Sequence, residues 1–514
     1  MRNMRVHRAL AVVPLALLLL TATGCDSTSS APATTKPDAA PSTDTAAARS
    51  VARVCANPAA GPAKAPAGAV TVDPDVVGDL AAKTKKSPPN TTFWLKPGTH
   101  RLEQDRYAQV IPKKGDHYIG APGAVLDGRK VNQYAFTGNA ADVTIRYLTV
   151  RGFVAPRDEG VVNHDSADGW VVEHATIKDN SGAGLMAGAR QQVRADCLRD
   201  NGQYGMNAYK GNGPLTGLVV EGNEITGNNT GDWERKQKGC GCTGGIKFWE
   251  VDGADISGNW VHDNRGTGLW ADTNNNDFLI ENNVIEANDG AALIYETSYN
   301  AVIRDNTIRR NNWVEGRKAA DSGDTFPYAT VYLSESGGEP RIKARTHKIE
   351  IYGNVLEDNW SGITLWENAD RFCNSPANTS SGDCTLLVKK TSTCVRPAIT
   401  KAPLYSDCRW KTQWVDIHDN RFVLDESVVK CTEMCDRMAV LSNYGTYPDW
   451  SPYHGDGVAD AITGKQHNRW HDNKYVGPWK FVAEDQGKVL DFGQWQTAPY
   501  RQDQGSTLDL QAGG

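Results

Sequence analysis

One short pattern recurs along most of this chain and constrains its fold more than any other feature. Each copy holds an apolar β-rich stretch, an asparagine, a second apolar pair and a second asparagine, at intervals of about 24 residues. Clear copies are ADISGNWVHDN (254–264), FLIENNVIEAN (278–288) and AVIRDNTIRRN (301–311). A repeat of this length with two or three short strands is one turn of a β-solenoid, in which stacked coils bury a continuous core.

The repeated asparagines predict two ladders that run along the solenoid. Asn tolerates left-handed turn geometry, and its amide can bond the copies above and below it. The first ladder would contain Asn223, Asn259, Asn283, Asn306, Asn354, Asn420 and Asn473, and the second Asn180, Asn201, Asn228, Asn264, Asn288, Asn311 and Asn359. We interpret both ladders as structural stacks and not as catalytic groups.

Both ends of the repeat array carry signals for a cap, which a solenoid needs. Asp73 and Pro74 would cap and begin a short amphipathic helix, whose apolar face would carry Val76, Val77, Leu80 and Ala81. We therefore predict a β-helix domain over residues 71–480, plugged by this helix, and a C-terminal capping segment over residues 481–514.

The first seventy residues are typical of an export signal followed by a tether. Three arginines precede an apolar run at residues 9–20, which is too short for a comfortable membrane span, so residues 1–24 are interpreted as a signal peptide. The sequence ATGC (22–25) resembles a bacterial lipobox, which implies lipidation of Cys25 and anchoring at the extracytoplasmic face of the cell membrane. Residues 25–70, rich in Ala, Pro, Thr and Ser, would form a disordered tether.

Ten cysteines follow Cys25, and an even number in an exported chain predicts about five disulfides whose pairing stays open. Four of them lie in residues 370–412, which we interpret as a disulfide-tied loop. No histidines stand at zinc-finger spacing, so we predict no metal bound by cysteine. The net charge of −6, without a basic run beyond the signal peptide, argues against a nucleic-acid partner.

Three segments carry a resemblance to a known family. FWLKPGTHRL (93–102), YIGAPGAVLDG (118–128) and VTIRYLTVRGF (143–153), with the Asn-rich coils, resemble the pectin-lyase-like superfamily. The resemblance implies an all-β fold, a single-stranded right-handed parallel β-helix with an N-terminal capping helix and disulfide-tied loop insertions. The family contains polysaccharide lyases, glycoside hydrolases, uronan epimerases and some adhesins. Their catalytic motifs are absent here, apart from an isolated RIK at 341–343, so no catalytic residue is carried over.

The second apolar run of five central coils can be aligned without gaps, and each copy then ends on an acid. The segments are GIKFWE (245–250), TGLWAD (267–272), AALIYE (291–296), TVYLSE (330–335) and GITLWE (362–367). Glu250, Asp272, Glu296, Glu335 and Glu367 would then form one row of carboxylates at a spacing of about 4.8 Å. Their repulsion requires a shared proton, a cation or a basic neighbour such as Lys247.

We predict that this acid row is catalytic, with Glu250, Asp272 and Glu296 at its centre. Capping of turns and a Ca²⁺ site are the alternatives. The same alignment places side chains outside that could bind sugar rings, unless loops cover them. These predicted substrate-binding residues are Lys247, Trp249, Tyr295, Tyr332 and Trp366.

Three functions are compatible with these features, all with a polysaccharide as partner and a monomeric protein. A glycoside hydrolase is favoured, since carboxyls one coil apart approach the roughly 5–5.5 Å separation of retaining enzymes. A lyase or epimerase would need a base and a group that neutralises a uronate, Ca²⁺ being one option. A non-catalytic glycan-binding surface protein is the third alternative. The hydrolase hypothesis requires no cofactor.

Overall fold

Short strands follow one another around a coil, and each coil adds strands to three long sheets. The computed structural model describes residues 51–510, except for 52, 212, 243, 325–327, 376–382, 431–439, 443–450, 454–457 and 485–486. The predicted signal peptide, Cys25 and the first half of the predicted tether lie outside the described residues.

Sheets 1 and 2 contain thirteen parallel strands each. The strands of sheet 1 are Val70–Val72, Thr92–Leu95, His117–Gly120, Thr144–Arg146, Val171–Glu173, Gln192–Arg194, Leu215–Glu221, Val251–Ser257, Asn276–Glu281, Ala301–Arg304, Ile349–Tyr352, Val415–His418 and Arg469–His471. Those of sheet 2 are Gly98–Arg101, Ala124–Asp127, Thr149–Arg151, Thr176–Lys178, Cys197–Arg199, Glu224–Thr226, Trp260–His262, Val284–Glu286, Thr307–Arg309, Val355–Glu357, Arg421–Val423, Lys474–Val476 and Thr507–Asp509.

Sheet 3 contains eleven strands, and its last pair is antiparallel. Its strands are Gly160–Val162, Ala183–Met186, Met206–Ala208, Ile246–Phe248, Leu269–Ala271, Leu293–Glu296, Val331–Ser334, Ile363–Trp366, Val440–Ser442, Phe481–Val482 and Val489–Leu490. The helices are Asp79–Lys86, Trp233–Lys236, Trp313–Asp321, Leu404–Asp407, Glu426–Val429, Val458–Gly464 and Phe492–Gln496, with 3₁₀ turns at Thr391–Thr393 and Ala398–Thr400. Among the described residues, no helix combines the length and apolarity needed to cross a bilayer.

Alternation along each short strand builds the core. In sheet 1, Val193, Val220 and Ile256 occupy the same register on successive coils and are fully buried, while the residues on either side of each point outward. The same pattern continues along the array, so the core is one continuous column of stacked aliphatic and aromatic side chains. The predicted all-β parallel solenoid is confirmed.

Both predicted asparagine ladders are confirmed. In the first, the amide nitrogen of Asn259 donates to Oδ1 of Asn283 at 2.9 Å, and that of Asn283 donates to Oδ1 of Asn306 at 3.0 Å. The second ladder repeats this bond between Asn264 and Asn288 at 3.0 Å. Every asparagine of the two ladders is buried, so each side-chain amide forms its hydrogen bond with the amide of the next coil and not with water.

A helix covers the first coil, but it begins later than predicted. It spans Asp79–Lys86, and its buried Leu80 packs on the core. Val76 and Val77 precede the helix and are about half exposed, which corrects the predicted apolar face. Asp73 does not cap the helix, because its carboxylate instead accepts from the Asp75 amide and pairs with Lys96 at 2.6 Å.

Residues 53–69 of the predicted tether lie against the β-helix. Cys55 forms a disulfide with Cys197 of sheet 2, and the indole of Trp94 donates to the Pro62 carbonyl at 3.1 Å. The predicted tether is therefore too long at its carboxyl end. Composition alone missed this because a disulfide can order a segment that buries little apolar surface.

Disulfides are confirmed for eight of the ten cysteines. Besides Cys55–Cys197, the pairs are Cys240–Cys242, Cys373–Cys384 and Cys394–Cys408, and Cys431 and Cys435 lie outside the described residues. The last two pairs lie within residues 370–412, as predicted for a disulfide-tied loop.

Candidate functional site

The register of sheet 3 differs from the gapless alignment of the five acid-bearing segments. Ile246 pairs with Leu269, and Leu269 pairs with Leu293, so the second and third segments are shifted by one residue. In a strand, a shift of one residue exchanges the inner and outer faces. The sequence held a signal for this register, because the gapless alignment placed the small Gly268 and Ala292 inside where leucines were available.

Tyr295 is therefore not a substrate-binding residue, which corrects the prediction. Its side chain is fully buried in the core, and its hydroxyl donates to the Tyr299 carbonyl at 2.7 Å. The outward residues of the shifted strands are Trp270 and Ile294, which the alignment had placed inside.

The five acids form two rows instead of one, so the prediction of a single row is wrong. We call the outward row that contains Trp249, Asp272, Glu296, Ser334 and Trp366 the carboxylate row. Glu250, Glu335 and Glu367 each come one residue later, where the chain leaves sheet 3. Glu250 and Glu335 have positive φ angles of 52° and 45°, as expected at a tight turn.

Glu335 and Glu367 are fully buried. Glu335 accepts from the Asn368 amide at 2.8 Å and lies 3.3 Å from an Arg371 nitrogen. Glu367 accepts from the Thr412 amide at 3.0 Å and pairs with Arg409 at 3.0 Å. This geometry matches the turn-capping alternative, because both carboxylates hold the two ends of the 370–412 loop against sheet 3.

Asp272 and Glu296 lie on the outer face of sheet 3 on neighbouring coils, where Glu296 is partly exposed and Asp272, like Lys247, is largely covered, at 6% exposed. Asp272 pairs with Lys247 at 2.9 Å. Glu296 pairs with Arg371 at 2.5 Å and accepts from the Trp270 indole at 2.9 Å. The repulsion between the two carboxylates is thus offset by basic side chains, one of the three solutions that the sequence left open.

Lys247 lies under the insertion 229–244 and is only 5% exposed. Its ammonium group donates to the Gly241 carbonyl at 2.7 Å and lies 4.2 Å from the centroid of the Trp270 ring. Burial opposes its charge, but Asp272, Tyr204 and Glu296 together outweigh the burial, so the pKa of Lys247 is raised. The predicted role of Lys247 in substrate binding is not favoured by this enclosure.

Glu250 has a different environment from Asp272. It is half-buried, and burial raises the pKa of its carboxyl above the ordinary value. The neighbouring coil places Thr273 beside it, through a bond from the Glu250 amide to the Thr273 carbonyl at 2.9 Å. Burial raises the pKa of Tyr209, and the charge of Glu250 adds to this effect.

Three of the four aromatic residues that were predicted to stack on sugar rings point outward and are partly exposed, namely Trp249, Tyr332 and Trp366. Trp249 stands edge-to-face with the exposed Tyr209, with ring centroids 6.4 Å apart. Tyr332 and Trp366 lie on adjacent coils with ring centroids 6.5 Å apart. Indole and phenol faces of this kind can stack on sugar rings.

Arg371 and Arg409 are components of the site that sequence reasoning missed. Both come from the 370–412 loop: Arg409 pairs with Phe372 in an antiparallel bridge that closes the loop, and Arg371 directly precedes Phe372. The only sequence signal was the need for positive charge near the acids. Within the described residues, the only cluster that could share a metal ion is Cys373, Cys384 and Cys394, and all three are in disulfides. The calcium alternative stays a prediction.

Comparison with known proteins agrees with the architecture. Residues 159–372 match a family model described as a right handed beta helix region. No curated protein matches the chain.

Among solved structures, the chain is similar to the A-module of mannuronan C-5 epimerase AlgE4 from Azotobacter vinelandii, with 13% identity, coverage of 74% of this chain and 96% of that chain, and a TM-score of 0.37. It is also similar to a GH87 alpha-1,3-glucanase from Streptomyces thermodiastaticus, with 15% identity, 63% and 68% coverage, and a TM-score of 0.34. The periplasmic alginate epimerase AlgG follows, with 12% identity, 85% and 83% coverage, and a TM-score of 0.35. The activities of these proteins differ, and none is assigned to this chain. The family model and the sheet topology agree on the predicted fold: this chain folds as a right-handed parallel β-helix.

Proposed function

We propose that this protein is a glycoside hydrolase that acts on a polysaccharide at the carboxylate row of sheet 3. One observation carries the proposal: Glu250 and Asp272, on neighbouring coils, are in opposite electrostatic environments. Glu250 is half-buried with a raised pKa, whereas Asp272 is paired with Lys247 at 2.9 Å. Two carboxyls whose environments differ in this way can act as proton donor and as anion at the same pH.

In this proposal, Glu250 protonates the glycosidic oxygen and Asp272 acts as the anionic partner. Glu250 lies opposite Thr273, the residue after Asp272, so the two carboxyls come from diagonal positions on coils that stack at about 4.8 Å. Glu296, held by Arg371 and Trp270, would place a further negative charge beside the developing positive charge of the sugar. Trp249 and Trp366 stand in the same row on either side of these acids and would stack on neighbouring rings.

The test is a screen of the purified protein against neutral and acidic glycans, with reducing ends as the readout. Asp272→Asn and Glu250→Gln should each lower kcat/KM by about 100-fold or more, because each removes a proton-transfer or anionic group. Glu250→Gln should also remove the decline in rate at high pH, where the wild-type acid loses its proton. The matched control is Glu281→Gln, an outward acid of sheet 1 that pairs with Arg304, which should keep full activity.

A wild-type protein that releases no reducing ends from any glycan, but is retarded in a gel containing one, would be a glycan-binding protein and not a hydrolase. Unchanged turnover in Asp272→Asn would contradict the assigned site.

A lyase or epimerase is the second candidate, favoured by one observation. Lys247 and Arg371 offset the charges of Asp272 and Glu296, so the row would repel a uronate less than five unpaired acids would. Ultraviolet-absorbing unsaturated products, or a change in uronate composition without cleavage, would identify this chemistry. Loss of that activity on chelation would support a role for Ca²⁺.

We also propose, from the sequence alone, that the protein is exported and anchored through a lipid on Cys25 at the extracytoplasmic face of the cell membrane. Cys25→Ala should move the protein from the membrane fraction to the medium. Retention in the membrane fraction would contradict the anchor. A monomeric state would be checked by light scattering.

A further inference from the structure

The shortest disulfide-closed loop among the described residues lies directly over the candidate site. Cys240 and Cys242 form a disulfide across a single residue, Gly241, and both cysteines are buried. We call residues 240–242 the CGC loop. It belongs to the insertion 229–244, which separates two coils of the repeat.

The CGC loop presents one carbonyl group to the site. The Gly241 oxygen accepts from the ammonium group of Lys247 at 2.7 Å and from the Tyr204 hydroxyl at 3.2 Å. The same ammonium group reaches Asp272 at 2.9 Å. Lys247 is thus held between the carbonyl of the loop and the carboxylate of the next coil.

Only glycine fits at the centre of the loop. The φ angle of Gly241 is +58°, and a Cβ atom there would lie 2.9 Å from the Trp270 ring and 3.4 Å from the Lys247 nitrogen. Such a contact with the ring is shorter than carbon atoms tolerate. A side chain at Gly241 would therefore displace the loop or the indole.

The loop has a second attachment besides its disulfide. The Glu234 carboxylate, on the helix Trp233–Lys236, accepts from the Gly241 amide at 3.1 Å and from the Gly239 amide at 2.5 Å. The orientation of the Gly241 peptide is thus set at both ends, by the carboxylate on its amide and by the disulfide on either side.

We propose that the CGC loop is a positioning element that holds the Lys247 ammonium group against Asp272, and that opening the disulfide releases Lys247 toward water. The kinetic part of this inference rests on the proposed hydrolase function, whereas the release of Lys247 does not. A carbonyl held by a covalent ring keeps the ammonium group in place without adding a charge that would compete with Asp272.

Two variants disturb the CGC loop in different ways. Cys240→Ser with Cys242→Ser removes the ring, and Gly241→Ala keeps it but displaces the carbonyl. The matched control is Cys55→Ser with Cys197→Ser, which removes a disulfide on sheet 2. Each folded protein is treated briefly with acetic anhydride, and acetylation of every lysine is followed by peptide mass spectrometry.

Lys247 should be acetylated at least about 10-fold faster in both loop variants than in the wild type and the control, because local opening exposes it, while the other lysines keep their rates. If the wild type is active, kcat should fall about 10-fold in both variants with KM unchanged. Asp272 would lose its partner Lys247, while Trp249 and Trp366 would still be in place to stack on the sugar. Unchanged acetylation of Lys247 in the folded variants would overturn the inference. An inactive wild type would overturn only the proposed function. If the double cysteine variant does not fold, the acetylation rate of Lys247 in Gly241→Ala tests the inference by itself.

Discussion

The asparagine ladders and the carboxylate row use the same stack of coils, but they satisfy their polar groups in different ways. Each ladder asparagine bonds to its own copy on the next coil, as Asn283 does to Asn306. The outward acids of sheet 3 do not bond to their own copies: Asp272 pairs with Lys247 of the preceding coil, and Glu296 pairs with Arg371 of the 370–412 loop. The ladder asparagines therefore satisfy one another, whereas each outward acid depends on a basic side chain that occurs only once and is not repeated from coil to coil.

This difference separates stability from function within one fold. A neutral amide can both donate and accept, so a stack of amides extends indefinitely. Carboxylates only accept when ionised, so a stack of acids needs donors from elsewhere. The insertions provide or enclose those donors, and they can vary without disturbing the coils beneath.

The largest expected effect comes from breaking a ladder in its middle. Asn306→Ala should lower the free energy of unfolding by about 4 kcal/mol, because several buried groups lose partners at once. The Asn306 amide nitrogen donates to the Ile280 carbonyl at 2.9 Å and to Asn354 at 2.9 Å. Urea unfolding measures the change, with the exposed Asn57→Ala as control. A loss equal to that of the control would show that the ladder contributes little.

A smaller effect on stability, which depends on pH, is expected at Glu335. Burial raises its pKa from the ordinary 4.5 to about 7 in the folded state. The folded protein therefore holds a proton that the unfolded chain releases, and stability should fall as the pH rises from 4.5 to 7, by about 3 kcal/mol from this group. Glu335→Gln should lack this loss, so its stability relative to the wild type should rise across that range in urea unfolding. A difference that is constant with pH would contradict the assignment.

Asp196 allows the two arrangements to be compared at one position, because it is an aspartate at a place in the first ladder where the other coils carry asparagine. Its amide donates to Asn223 at 2.9 Å, and its Oδ1 accepts from the Ala175 amide at 2.6 Å. Its Oδ2 is buried with no hydrogen-bond partner among the described residues, and burial raises the pKa of Asp196 well above the ordinary value of 3.8.

Asp196→Asn should stabilise the protein by about 2 kcal/mol at neutral pH, since the amide carries no charge for burial to oppose and still offers a donor at this position. Because the folded pKa is raised, the wild type loses stability as the pH rises above 3.8, and the advantage of the variant should grow over that range. Thermal unfolding at several pH values measures it. A destabilised variant at pH 8 would show that this position does not extend the ladder.

The smallest effect is expected for Tyr295→Phe. Loss of the bond from its hydroxyl to the Tyr299 carbonyl should cost about 1 kcal/mol of stability, with no change in glycan binding, because the ring is in the core. Trp366→Ala, on the outer face, should weaken glycan binding with little change in stability. A Tyr295→Phe protein with weakened glycan binding would contradict the observed register.

Much of the fold could be predicted from the sequence because its signal is periodic. The positions of Asn259, Asn283 and Asn306 set the length of a coil, and the ladders followed from it. The acids of sheet 3 were recognised, but their register was not, since a shift of one residue leaves the composition of each segment unchanged while reversing its faces. Arg371 could not be placed, because nothing in a loop of 43 positions (370–412) indicates which residue folds back onto the sheet.

The sequence by itself determined the coil, the stacking of its amides and the presence of acids on one sheet, since these depend on contacts repeated at a nearly fixed interval. The tertiary structure alone decided which acids point outward, which are buried as turn caps and which cation meets each. The physical reason is that charge compensation acts through space, between Glu296 and Arg371 or between Asp272, Lys247 and the CGC loop. The contact between Glu296 and Arg371, for example, joins segments whose separation along the chain follows no period.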